Sequence, residues 1–135
     1  MSKIQQAGCV ILDDYSRILL LHKAASEKTW WELPGGEVDE DEPAEQAAVQ
    51  AIADELGIAV RLTKALGSGE FEDDENDYHY TWFQAVVIDA DPVLHETAMY
   101  DDLAYFDTED LLSLALAPGV QALFDKIMSG EVVLD

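Results

Sequence analysis

Two acids near the end of a predicted helix and a glycine pair upstream are the residues best placed to do chemistry. Asp54 and Glu55 fall in the last turn of Gln50-Ala51-Ile52-Ala53-Asp54-Glu55-Leu56-Gly57, and Pro34-Gly35-Gly36 precedes that helix. Carboxylates in a last turn face the negative end of the helix dipole, at a cost of a few tenths to ~1 kcal/mol each. A shared divalent cation reverses that penalty. Hard ions take oxygen ligands, and magnesium is often held by one or two carboxylates plus substrate phosphates. A very acidic chain would also scatter acids in such positions without any ligand in view. The glycines favour the first reading, because a backbone without Cβ turns sharply and comes close to a ligand. Lys23 and Lys28 are the few cations placed to meet phosphate oxygens, and Trp30, Trp31, Phe71 or Tyr78 would stack on a base or serve as core.

The elements that must hold these residues can be read from periodicity and punctuation. Two β-rich runs, Gln6 to Leu12 and Arg17 to His22, flank the polar Asp13-Asp14-Tyr15-Ser16 and predict a hairpin. A loop then carries Trp30 to Gly36. The helix runs from Pro43 to Leu56, with Asp41 and Glu42 at its start, an apolar stripe at Ala48, Ile52 and Leu56, and Gly57 as its stop. Ile58 to Leu66 predicts a strand, Glu70 to Asp77 an acidic hairpin tip, Tyr78 to Ile88 a long strand and Leu103 to Phe106 a short one. Helices are expected over Thr108 to Leu114 and Val120 to Met128. This order suggests a mixed sheet covered by helices, in a single domain spanning residues 1–135.

Composition narrows the class. The chain has 135 residues, with 7 Lys+Arg against 29 Asp+Glu and a formal net charge of −22. Such a surface repels phosphate backbones and anionic lipid, which argues against a nucleic-acid polymer or a membrane as partner. No apolar stretch approaches the ~18–20 residues of a membrane span. The first residues carry no apolar signal region. A single cysteine, Cys9, excludes an internal disulfide and any paired-cysteine metal site, and its apolar surroundings predict a buried, inert thiol. A cytoplasmic setting is the resulting expectation.

Taken together, these residues resemble the Nudix hydrolases. The family's box is a Gly, a Glu six residues later, and Arg-Glu-apolar-x-Glu-Glu-x-Gly-apolar beginning fourteen residues after that Gly. Gly36, Glu42, Ile52, Glu55, Gly57 and Ile58 fall on the matching positions, with Asp54 replacing a Glu. Trp31-Glu32-Leu33-Pro34-Gly35-Gly36 is similar to the usual entry to the box, and Tyr105 to Leu111 to a late strand–helix element. The resemblance implies an α/β/α sandwich with a mixed β-sheet. It also implies magnesium-dependent hydrolysis of a nucleoside diphosphate linked to another moiety, with manganese as the alternative ion. Asp54 and Glu55 would hold the metal and serve catalysis, while Lys23, Gly35, Gly36 and Glu42 would lie on the substrate side. The partner would be a small nucleotide derivative, and the assembly a monomer or homodimer.

Two departures fall inside the box. The family Arg is Gln50 and the Glu after it is Ala51. In the family that Glu is a metal ligand and, in some members, helps to activate water. Positions 51, 54 and 55 are i, i+3 and i+4 and share a helix face, so this chain offers two carboxylates and a methyl where the family has three carboxylates. Losing one base or positioning carboxylate costs ~10²–10⁴ in rate, about 3–5 kcal/mol of barrier. His95 and Glu96 lie where some members carry a catalytic base, although a His-Glu pair in a polar loop is also ordinary solvated surface. Two expectations follow: a hydrolase with reduced or rerouted catalysis, or an inactive module that binds or senses a nucleotide.

Overall fold

The computed structural model describes residues 3–23, 29–72, 75–88, 91–93 and 100–134. The strands are β1 (Ile4–Ile11), β2 (Ile18–Lys23), β3 (Trp30–Glu32), β4 (Gly35–Glu37), β5 (Val60–Glu72), β6 (Asp77–Val87) and β7 (Tyr100–Phe106). The helices are α1 (Ala44–Leu56) and α2 (Pro118–Met128), with a 3₁₀ turn at Thr108–Ser113.

The strands form two sheets. One is mixed, in the order β4-β1-β6-β5, with β1 and β6 parallel and the other pairs antiparallel; the second, β3-β2-β7, is antiparallel. Strand alternation splits the core into two layers. Ala7, Cys9 and Ile11 of β1, Leu19 and Leu21 of β2, and Phe83 and Ala85 of β6 pack with Ala48, Ile52 and Leu56 of α1. The intervening Val10, Leu20 and Trp82 pack with Val120, Leu123 and Phe124 of α2. A helix therefore covers each face, which is the expected α/β/α arrangement. Trp82 is fully buried there, and its indole N–H has no hydrogen-bond partner among the described residues. No helix among the described residues is long and apolar enough to cross a membrane.

Four local expectations are corrected. The runs around Asp13–Ser16 do not form a hairpin within one sheet: β1 joins β6 and β4, β2 joins β7 and β3, and only a Leu12–Ile18 bridge links them. Ile18 to Leu21 are all buried, so β2 is covered on both faces, a need that a half-exposed hairpin would not meet. The Trp30–Gly36 loop contains two short strands, one for each sheet. β5 continues to Glu72, with register shifts near Leu62 and Ala65, so Glu70 and Glu72 lie in the strand and not in its tip. Finally, α2 begins at Pro118, which suits a first-turn position because its missing N–H is not needed there.

Helix α1 ends where the sequence predicts. Gly57 adopts a left-handed conformation with φ 66° and donates its N–H to the Ala53 carbonyl. A residue with a Cβ would be strained there. Pro43 is the residue just before the helix.

Candidate active site

The three-residue strands β3 and β4 leave Leu33 and Pro34 between the two sheets, both buried. Cys9 N–H donates to the Pro34 carbonyl at 3.0 Å, pinning this crossing to the middle of β1. Gly35 pairs with Gly8 of β1. A Cβ on Gly35 would collide with the Ala7 carbonyl oxygen and the Gly8 Cα, so only glycine permits this approach. The Gly35 N–H in turn donates to Glu55 Oε1 at 3.1 Å. The acid at the end of α1 is thereby tied to the glycine loop.

Around this junction opens a cavity of about 480 Å³. Gly35, Gly36, Glu37 and Glu55 line it together with the rings of Phe71, Tyr78 and Tyr80, with Lys23, Trp30, Glu32 and Tyr100, and with Pro118 and Gly119 at the start of α2. Phe71 and Tyr78 stack at 5.1 Å with 19° between their planes. A Cβ on Gly119 would lie 2.9 Å from the Tyr80 ring, so this glycine lets α2 sit against the aromatic wall.

Glu32 is held on both of its carboxylate oxygens. Its Oε1 accepts from Trp30 Nε1 at 2.6 Å, its Oε2 accepts from the Tyr100 hydroxyl at 2.9 Å, and Lys23 Nζ stands 3.9 Å from Oε1. Burial, and then the negative charges of Glu32 and Glu55, push the Tyr100 hydroxyl far above the usual tyrosine range. Burial, then Glu32, Cys9 and Glu55, do the same to Tyr80. Both phenols therefore stay protonated, and Tyr100 remains a donor to Glu32.

The expected residues separate clearly. Glu55, Lys23, Gly35 and Gly36 meet at the cavity. Asp54 does not line it: its side chain is exposed and accepts from Gln50 Nε2 at 3.1 Å. Glu42 also lies outside the lining and bonds back to its own turn, accepting from Asp39 N–H at 3.4 Å. Ala51 faces the loop, with its methyl 3.3 Å from where a Cβ on Gly36 would stand. His95, Glu96 and Lys28 fall outside the described residues. Of the aromatic candidates, Trp30, Phe71 and Tyr78 reach the cavity. Trp31 packs instead between His22 at 4.8 Å and Phe106 at 4.7 Å.

Glu32, Glu37, Tyr80 and Tyr100 were not singled out by sequence reasoning. Strand alternation offered a signal for two of them, since Glu32 shares a face with Trp30, and Tyr80 with Tyr78. The thiol of Cys9, predicted inert, is buried, and burial pushes its pKa up to about 12.

A model of the NUDIX domain matches residues 3–127. The chain belongs to the Nudix family. Its relatives include an uncharacterized Nudix hydrolase of Bacillus subtilis, YvcI, 23% identical over 99% of this chain and 85% of that protein. The CTP pyrophosphohydrolase of Escherichia coli is 27% identical over 96% of this chain and 94% of that one. Among solved structures, the MutT NUDIX hydrolase of Burkholderia pseudomallei superposes with a TM-score of 0.83 at 28% identity, over 94% of this chain and 99% of that one. Nudix hydrolases cleave pyrophosphate-type bonds and generally work with a divalent metal.

Among the described residues, the fit to such an ion is an open one. Among the described residues, no group of three or more His, Cys, Asp or Glu side chains converges as a protein-only cage. What remains is the open mode in which one or two carboxylates bind the ion and substrate phosphates complete its shell.

Proposed function

We propose that this protein is a magnesium-dependent Nudix hydrolase of a nucleoside diphosphate linked to another moiety, with catalysis reduced or rerouted by the loss of the box's Arg-Glu pair at Gln50 and Ala51. The observation that carries this reading is the bond from Gly35 N–H to Glu55 Oε1 at the rim of a ring-lined cavity. It supports the reading because a carboxylate, a closely approachable backbone and aromatic rings line one cavity.

Glu55, which lines the cavity, would hold magnesium, or manganese in its place, and Asp54 would join it only by turning in from the exposed side of α1 and leaving Gln50. The ion would supply charge neutralisation on the phosphates. The chain's own groups do the rest. Gly35 and Gly36 present backbone without side chains to the phosphate chain. Lys23 adds the cation of the cavity wall, and Phe71 and Tyr78 offer flat surface to a ring. With Ala51 unable to act as base, a proton acceptor must come from outside α1, and His95 and Glu96 in the segment before β7 are the candidates. The CTP pyrophosphohydrolase relative points to nucleoside triphosphates as the first substrates to test. The reading also takes the chain as one cytoplasmic domain, monomeric or homodimeric.

The methyl of Ala51 against Gly36 favours a second reading, a module that keeps the pocket and binds a nucleotide without hydrolysing it. A nucleotide panel with Mg²⁺ and Mn²⁺ decides between them. Turnover by the native chain that disappears in His95→Ala or Glu96→Gln supports the rerouted enzyme. A ligand-induced thermal shift without turnover supports the module. If Ala51 is the missing function, Gln50→Arg with Ala51→Glu should raise Mg²⁺-dependent turnover ~10²-fold or more; no gain, together with native turnover lost in the His95 or Glu96 variant, supports the rerouted enzyme and defeats the inactive module. Neither turnover nor binding would remove both readings.

A further inference from the structure

Strands β2 and β7 pair in step from Ile18–Phe106 to His22–Asp102, and then the register slips, so that the next pair is Lys23–Tyr100. Asp101 is the extra residue of a β-bulge, a device that re-aims the side chains beyond it. The core layers show its effect. Leu103 and Tyr105 of β7 pack on the α1 side, so plain alternation would turn Asp101 to that side and Tyr100 away from it. Tyr100 instead packs on the α1 side, buried, and lines the cavity with its strand partner Lys23. Pairing without the bulge would set Asp101 opposite Lys23, because a one-residue slip exchanges the faces of the side chains past it. The extra residue is held by His22. An ionised carboxylate only accepts, so His22 Nδ1–H donates to Asp101 Oδ1, at 2.6 Å. The His22 ring is itself seated against Trp31, with centroids 4.8 Å apart, and Trp31 lies in the layer on the α2 side.

We propose that His22 is a positioning residue for the cavity: by holding the Asp101 carboxylate on the α2 side of the sheet, it keeps β7 in the register that sets Tyr100, and not Asp101, beside Lys23, and so leaves the Lys23 ammonium to meet substrate phosphate. The assignment rests on reading this cavity as the nucleotide site. Lys23 is the cation among the residues that line it, and the chain as a whole carries 29 acids against 7 Lys+Arg. An added carboxylate opposite Lys23 would compete with phosphate twice over, by pairing with the ammonium and by repelling the ligand's own charge. It would also displace Tyr100, whose hydroxyl donates to Glu32 at 2.9 Å. His22 touches no ligand in this account; it acts through the bulge alone.

The test is a set of Kd values for CTP with Mg²⁺, by calorimetry, with a melting curve for each variant. His22→Phe keeps a flat ring against Trp31 and removes the N–H, which frees Asp101 to turn in, so CTP binding should weaken about tenfold or more. The deciding variant combines His22→Phe with Asp101→Asn. An uncharged residue cannot neutralise the Lys23 ammonium, and CTP binding should return to near the native value. Asp101→Asn alone should bind CTP as the native chain does. A merely structural role for His22 would not be repaired by removing its own partner. His22→Ala, with and without Asp101→Asn, serves the same purpose should His22→Phe fail to fold. Unchanged CTP binding in the His22 variants, a loss that Asp101→Asn does not restore, or a gain of equal size from Asp101→Asn alone overturns the role of His22 and leaves the nucleotide reading of the cavity intact. No CTP binding by the native chain overturns that reading and this assignment with it.

Discussion

At Glu55 one carboxylate holds the glycine loop and, in the function proposed above, would also serve the metal, two tasks that substitution can separate. Its Oε1 accepts the Gly35 N–H, fixing the glycine loop to α1, and its charge is the part a metal would need. Glu55→Gln keeps an oxygen for the loop and removes the charge. Thermal stability should therefore stay within a degree or two of the native protein, while Mg²⁺-dependent turnover falls by about 10²-fold or more, checked by a melting curve beside a magnesium titration. Gly35→Ala should instead cost stability. Its methyl would strike the Ala7 carbonyl and the Gly8 Cα, which belong to backbone that cannot yield as a flexible side chain can, so we expect a loss of about 1–3 kcal/mol in urea unfolding. Cys9 is a residue-scale probe of pH. Its folded pKa of about 12 exceeds the ordinary 9.0, so the folded chain retains a proton that the unfolded chain releases. Its stabilising effect is complete below pH 9 and is lost as pH rises towards 12. The urea midpoint should accordingly decline across that interval, joined above pH 10 by Tyr80 and Tyr100, whose folded pKa values are also raised.

At the scale of elements, α1 was the easiest part to read. Its four-residue apolar stripe, its glycine stop and its acid-rich start give local signals that agree with one another, and Ile52, at the centre of the stripe, is fully buried. Ile52→Ala should cost about 2–5 kcal/mol in denaturant unfolding, the range for a large core residue that leaves a void. Strand partners were harder to read, because sheet pairing is chosen by distant residues. Nothing within Asp13–Ser16 shows that β1 will run parallel to β6, sixty-odd residues along the chain, while β2 turns to β7. β3 and β4 have three residues each, too few for periodicity to register. The same reason hid half of the site. Gly35, Gly36, Lys23 and Glu55 sit in a linear pattern that a single sequence displays. Tyr100 meets Glu32 only because β7 lies beside β2, which lies beside β3, a relation that exists in three dimensions alone.

At the scale of the molecule, charge and packing pull in opposite directions. Two apolar layers hold the sheets between α1 and α2, while the surface carries a net charge of −22 that repels itself. Screening relieves that repulsion, and raising NaCl from tens of millimolar to several hundred should lift the melting temperature. Acid acts against particular pairs: Asp13, bonded by Arg17 and the Tyr15 N–H, and Glu70, bonded by Lys3, have lowered pKa values. Their contribution is present above the ordinary carboxylate range and fades as pH falls through the lowered values. The three tryptophans meanwhile occupy distinct surroundings. Trp82 lies in an apolar layer with an indole N–H that no described residue engages, whereas Trp30 stands at the cavity with its indole bonded to Glu32. The protein thus carries its own fluorophores for two separate events, a blue emitter that shifts to longer wavelength only on unfolding and a second lamp whose brightness follows whatever enters beside it.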